Sequence, residues 1–370
     1  MTWHSTQWLP PGHLAHFILD VVAALDMRAI EAAVEARDPR GERPYQPAMM
    51  RGLLVYGYCV GVLSSRKIAR ATYEDVAFRV LGGGTHPHFT TVNQFRLDHR
   101  AAFAGLFVQV LRPCQKAGLV KLGHVAFDGS EPVNQSPDRA KRRAAGPDAR
   151  REEGEYLVVF NRRANASKHK AMSYQRMNEQ EERLVREVEE LLARADAADR
   201  RDDMVKDGAF VQGYNARTAV DAASQVIVAE AVNHQAPDCE HLVPMVDRVE
   251  TNCGQKPAVL TADNGYFSRN NVAACEQRGV DAHIAVGRER ARATPSSQDP
   301  VREQMRTKLR SPQGKAIYAR RKTIVEPPFG QIKQARGFRR FSLRGLAKVR
   351  GEWTFVCLTH NLLKLFRAPR

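Results

Sequence analysis

The chain has 370 residues, 43% of them hydrophobic, enough for ordinary cores and too many for a disordered chain. Fifty-seven Lys and Arg against 41 Asp and Glu leave a net charge of +16, which points to a polyanionic partner: nucleic acid first, an anionic membrane surface second. Six scattered cysteines form no CxxC pair, which excludes a zinc ribbon and argues against a disulfide scaffold. No basic segment followed by an apolar core opens the chain, so no signal peptide is expected. The most apolar run, Gly52 to Ser65, is 14 residues long. A membrane span needs about 20, so this run predicts a buried core helix, and the chain reads as a cytoplasmic, basic protein with no membrane partner.

Residues 1–120 read as all-helical. Leu14, Phe17, Ile18, Val21, Val22 and Leu25 follow the 3.6 period, residues 48–63 form the buried helix, and residues 65–81 are amphipathic. A glycine-rich break follows, and Thr90 is the expected cap of one further helix over 90–111. Helix, turn and polar-fronted helix match either a helix-turn-helix or a plain bundle. In the first case Thr91, Asn93, Gln94 and Arg96 face the major groove, Asn and Gln toward adenine edges and Arg toward guanine.

KLGHVAFD (121–128) reads as a strand ending in Asp128. Residues 131–163 are polar and charged, an insertion or linker, and residues 172–203 carry a charged amphipathic helix. Beyond 209 two alternating runs joined by DAAS predict a hairpin. A helix then starts near Pro237-Asp238, and strand 257–262 ends at Asp263 before an Asn-Gly turn. A helix near 269–278 and a strand over 281–287 follow. Residues 288–312 read as a polar loop, with a basic helix from about Gln313 and a final helix over 351–366.

Between Arg302 and Arg350 there are 15 Lys and Arg and two acids, Glu303 and Glu326. Unmixed positive charge interleaved with Tyr318, Phe329, Phe338 and Phe341 predicts contact with a phosphate backbone, with Arg336, Arg339 and Arg340 as contacts. Asp128 and Asp263 each end a strand before a turn, where α/β sheets bind ligands and metals. Glu326, isolated among cations, is an ion-pair hub or a metal ligand. Carboxylates for divalent ions, with flanking cations and a phenol, are what phosphodiester chemistry needs.

GHVAFDGS (123–130), NASKHKAMSY (165–174), KDGAFVQGYNARTAVD (206–221), LTADNGYFS (260–268) and the long block from Tyr318 to Trp353 resemble the bacterial insertion-sequence transposases of the DDE class. The resemblance implies an α/β RNase H-like catalytic domain, a mixed sheet flanked by helices, over 121–370. A helical DNA-end-binding domain over 1–120 would precede it. It also implies Asp128, Asp263 and Glu326 as catalytic, metal-binding residues for two Mg²⁺ or Mn²⁺ ions. Tyr318, Arg321 and Lys333 match the tyrosine-arginine-glutamate-lysine signature that contacts the element's end. Arg321 leaves four residues before Glu326 where the signature has three, so Lys322 is the other candidate. The implied function is Mg-dependent cutting of element ends and strand transfer to target DNA. The implied partners are double-stranded terminal repeats and target DNA, bound by a homodimer. Pro327 and Pro328 directly after Glu326, and the 33 residues of 131–163, depart from the pattern. Their alternative reading is a catalytically inactive DNA-binding protein derived from a degenerate element.

Overall fold

The computed structural model describes residues 8–26, 28, 45–99, 102–130, 204–206, 209–211, 214–233, 238–287 and 299–368. The expected insertion over 131–163 and charged helix over 172–203 lie outside the described residues. The chain divides into two compact units, Met1–Pro132 with Tyr214–Arg370, and Val133–Gly213. In the second, β2 (Met204–Lys206) and β3 (Ala209–Val211) pair antiparallel.

The helical segment of the first unit starts with α1 (Leu14–Ala24) and α2 (Pro47–Val60). Pro47 at the first turn suits a helix start, and Gly61 ends α2 at φ 83, a conformation only glycine adopts without strain. Met50 to Cys59 are all buried, so α2 is the core helix that the apolar run predicts. The amphipathic run divides at Asp75 into α3 (Ser65–Glu74) and α4 (Val76–Leu81). The Asp75 carboxylate accepts from the Ala77 and Phe78 amides at 2.8 and 3.1 Å, a cap that starts a new helix. The expected helix over 90–111 is also two: α5 (Phe89–Asp98) and α6 (Ala102–Lys116). His88, not Thr90, caps α5, and its Nδ1 lies 2.7 Å from the Thr90 hydroxyl.

The sheet runs β5-β4-β1-β6-β7. β1 (His124–Ser130) pairs antiparallel with β4 (Asn215–Asp221) and parallel with β6 (Val259–Ala262). β5 (Ile227–Asn233) forms the predicted hairpin with β4, and β7 (Asp281–Ile284) lies parallel to β6. Between them come α7 (Leu242–Cys253), against β5, and α8 (Arg269–Gln277), against β7. This mixed sheet flanked by helices is the RNase H-like arrangement that the resemblance implies.

Part of the polar stretch expected as a loop is α9 (Pro300–Arg310). Asp299 accepts from the Val301 and Arg302 amides, Pro300 occupies the first turn, and Lys308 and Arg310 sit in the last turn. These are helix-start and helix-end signals, and they outweigh polarity. The basic helix is α10 (Pro312–Gly330), which lies across β1, β4 and β6 and runs into a π-helical turn, Gln331–Ala335. The last helix, α11 (Leu346–Phe366), is buried almost all round. It joins the helical segment to the sheet. Phe355 packs on Tyr58 and Phe103, and the Asn361 side chain both accepts from the Ile227 amide (2.9 Å) and donates to its carbonyl (2.8 Å).

His360 on α11 is fully buried beside the Gln225 carbonyl, and burial pushes its pKa down to about 3. A base with a lowered folded pKa stays neutral in the fold while the unfolded chain takes up a proton below about 6.5. Its contribution to stability is therefore present above that value and is lost as pH falls toward 3, at about 1.4 kcal/mol per pH unit. His360→Gln should flatten the fall in stability between pH 6.5 and 4, read by urea unfolding at each pH. An unchanged profile contradicts the assignment.

Among the described residues no single helix is long and apolar enough to cross a membrane, and all six cysteines are free thiols.

Candidate active site

The parallel ladder between β1 and β6 ends at Ala126 opposite Thr261. Asp263 directly follows the last residue of β6, while β1 does not end at Asp128 as expected but runs on to Ser130, with Asp128 paired opposite Thr218 of β4. The two carboxylates thus stand side by side beyond the last parallel pair of β1 and β6, on the side where α/β sheets bind ligands. Asp263 caps the short turn Asn264–Tyr266 and accepts from the Gly265 amide at 3.0 Å. Below them Tyr266, 1% exposed, sets its hydroxyl beside Gly129.

Arg321 on α10 reaches across to Asp128, Nη1 to Oδ2 at 3.3 Å, and its guanidinium lies 6.0 Å from the Tyr318 ring centre. Tyr318 and Arg321 are three residues apart, so they share a helix face. Burial pushes the Asp128 carboxyl above the usual range; Arg321 opposes this and the Asp263 charge adds to it. Asp263 is also raised by burial, opposed by the Gly265 amide and reinforced by Asp238. Burial lowers Lys333, and the Asp128 charge raises it, so Lys333 belongs to the same field. Its ammonium lies 5.6 Å from the Phe329 ring centre.

Glu326 stands apart. It is exposed, and five residues past Arg321 it points about 140° round the helix from that side chain. Lys322, one turn before it, is also exposed. Among the described residues no three carboxylate, histidine or cysteine side chains form a metal-binding group. The structure brings together Asp128, Asp263, Tyr318, Arg321 and Lys333, and leaves Glu326 and Lys322 outside. The donors present fit a divalent ion in kind, since two adjacent carboxylates are hard oxygen ligands.

Asp238 is the acid that sequence reasoning passed over, reading it only as a helix cap. It opens the turn Asp238–His241, and its carboxylate pairs with Arg217, whose side chain is wholly buried on β4. Arg217 also donates to Asn233. Gly265 lies between the two acids: a Cβ there would stand 2.7 Å from Asp238 Oδ2 and 3.2 Å from Asp263 Oδ1. Because Arg217 holds Asp238, that oxygen cannot simply swing away. Gly265→Ala should therefore displace Asp263, and the strand cleavage that the resemblance implies should fall about a hundredfold, the cost of a misplacement near 1 Å. Affinity for duplex DNA should stay unchanged, and a wild-type cleavage rate would show that the pocket has slack.

The predicted DNA contacts divide. Arg339 and Arg340 are exposed, with Arg339 reaching Gln334. Arg336 differs from expectation: it is 5% exposed, and its guanidinium donates to the Thr359 hydroxyl (2.7 Å) and the Val356 carbonyl (3.3 Å). Burial lowers its pKa to about 10. Arg96 is 6% exposed and donates to Tyr58 (2.9 Å) and Asn93 (2.8 Å), so Asn93 serves as its acceptor. Gln94 is exposed and tied to Asp98. Phe329, Phe338 and Phe341 are not surface aromatics; they pack with Trp353. Charge is legible in a sequence, but burial is set by tertiary packing.

Two family profiles match the chain. Transposase DDE domain covers residues 189–362, which includes Asp263, Tyr318, Arg321, Glu326 and Lys333. Transposase domain (DUF772) covers residues 4–98, most of the helical segment. Asp128 falls between the two matches. No curated protein matches the chain. With a transposase profile on each side of β1 and a mixed, helix-flanked sheet carrying paired aspartates, the chain belongs to the insertion-sequence DDE transposases.

Proposed function

We propose that this transposase cuts DNA at the ends of its element and joins the freed 3′ ends to target DNA. Asp128 and Asp263 would hold divalent metal, Mg²⁺ or Mn²⁺, and Glu326 would complete the set. The observation that carries this reading is the pair of aspartates on adjacent parallel strands, faced by Arg321, Tyr318 and Lys333. Bound there, two metal ions supply activation of the attacking oxygen and stabilisation of the leaving oxygen. The chain's own residues do the rest. Arg321, paired with Asp128, presents its guanidinium beside the carboxylates, where it would grip a phosphate of the DNA. Lys333 adds a second cation, and the Tyr318 hydroxyl a hydrogen-bond donor. Glu326 must swing toward Asp128. Pro327 and Pro328 have no backbone N–H, so the Thr323 and Ile324 carbonyls lack their helix donors in the turn that carries Glu326, and with the π-helical turn Gln331–Ala335 beyond, this is where α10 would bend.

Exposed Arg339, Arg340, Arg344 and Lys348 form the phosphate-facing surface, and the helical segment over 1–120 contacts the element's end. We propose a homodimer on DNA as the working form. The test is cleavage of a plasmid carrying the DNA that flanks the gene. Expected are nicks with 3′-hydroxyl ends at the element boundaries, in Mg²⁺ and not in EDTA. A protein that binds this DNA and never nicks it contradicts the reading.

A further inference from the structure

Between the π-helical turn and α11 the chain makes an irregular arginine-rich loop over 337–345 with Arg339, Arg340 and Arg344 exposed. An exposed loop with three like charges should wander, since ordering each residue costs about 1–2 kcal/mol in backbone entropy. This loop is tied down at two places. Phe338 and Phe341, 3% and 4% exposed, pack edge-on at 5.5 Å and both meet Trp353 at 6.3 Å. The second tie is Glu352, a carboxylate 2% exposed on the first turns of α11.

Glu352 Oε2 accepts from the backbone amides of Ser342 and Leu343 at 3.0 and 3.1 Å. Its Oε1 accepts from the Ser342 hydroxyl and, at 3.4 Å, from the Tyr58 hydroxyl of α2. Tyr58 in turn accepts from Arg96 Nη1 at 2.9 Å, and the same nitrogen reaches the Ser342 hydroxyl at 3.4 Å. A buried carboxylate needs a compensating cation and filled lone pairs, and here Arg96 and four donors supply both. Arg96 comes from the helix expected to read bases, so its charge is spent on holding the loop.

We propose that Glu352, with Tyr58 and Arg96, is a latch that fixes the arginine loop in position to neutralise DNA phosphates, making Glu352 a positioning residue for DNA binding. This rests on the reading of Arg339, Arg340 and Arg344 as phosphate contacts. It also ties the helical segment to the loop through one hydrogen-bonded chain, so the two DNA-facing surfaces are held in one frame. The latch acts on orientation. Its loss should leave the arginines charged and present but no longer presented together.

The experiment measures affinity of the full chain for a 40-base-pair duplex across a NaCl series, by fluorescence anisotropy, for wild type, R339A/R340A/R344A, E352Q, Y58F and the combination of E352Q with the arginine triple. Circular dichroism and thermal unfolding accompany each. E352Q is nearly isosteric, and whichever way its amide turns, one position that accepted hydrogens now offers them, so the loop is released without a cavity. The triple should lower the slope of log affinity against log salt by about 2.7, at 0.9 per phosphate contact. E352Q should lower it by about 1 to 3, Y58F by less, and the combination should go little beyond the triple alone. A folded E352Q with the wild-type slope, or effects that add fully to the triple, overturns the latch while the phosphate surface stands. A triple with the wild-type slope removes the phosphate surface itself, and the latch with it.

Discussion

Asp128→Asn and Asp263→Asn should each lower DNA strand cleavage by ~10³-fold or more, with duplex affinity within a few-fold of wild type. The two carboxylates stand on neighbouring parallel strands just beyond their last shared pair, and each is held above the normal carboxylate range by burial. Placing acids where desolvation and mutual repulsion oppose their charge is unfavourable unless a cation is to sit between them. Arg321 supplies part of that charge in the present arrangement. Asparagine keeps the shape, so the fold and the DNA surface remain while the negative charge is lost. The measurement is single-turnover nicking of element-end DNA beside an anisotropy titration. Either variant cleaving at a wild-type rate would falsify its place in the chemistry. The charge change acts on binding in the other direction: removing an acid near the phosphate path should tighten it slightly.

Trp353→Ala should destabilise the main unit by about 3–5 kcal/mol, a large share of the 5–15 kcal/mol typical of a whole fold. Trp353 is 1% exposed, and its indole N–H donates to the Arg217 carbonyl at 3.2 Å. Phe329, Phe338 and Phe341 all lie within 6.3 Å of its ring. Truncation leaves a cavity where α10, the arginine loop, α11 and β4 meet. It also strands the Arg217 carbonyl and loosens the aromatic anchor of the loop. Denaturant unfolding monitored by circular dichroism checks the expectation, and a loss below 1 kcal/mol contradicts it.

Most of the sheet was legible because alternation and turn chemistry agree. The two runs either side of DAAS became β4 and β5, with Asp221 capping the turn and Gln225 in the left-handed region at φ 59. The strand end at Asp263 was legible for the same reason, whereas β1 runs past the expected end at Asp128 to Ser130 because its antiparallel ladder with β4 continues there; the partnership of both acids with Tyr318 and Arg321 was legible through the motif. Four things were not. Helix breaks at Asp75 and before Ala102 hide inside continuous periodic runs, since a cap residue ends one helix only when tertiary packing turns the chain. The start of α9 was masked by polarity although Asp299-Pro300 signals it. The fates of Arg96 and Arg336 depended on distant partners, Tyr58 lying 38 residues from Arg96 and Val356 20 residues from Arg336. Asp238, likewise, has its significance only through Arg217 on another strand and the missing side chain of Gly265.

The central claim is that Asp128 and Asp263 ligate the metal that drives strand cleavage. The most direct test exchanges their oxygens for sulfur and reads which metal restores activity. Asp128→Cys and Asp263→Cys place a thiolate, which disfavours Mg²⁺ and accepts softer ions. Cleavage of element-end DNA should vanish in Mg²⁺ for both variants and return in part in Mn²⁺ or Cd²⁺, while Asp221→Cys, remote from this edge, shows no such switch. Cysteine variants that cleave equally in Mg²⁺ would contradict the claim, as would variants that no softer metal revives although they fold and bind DNA.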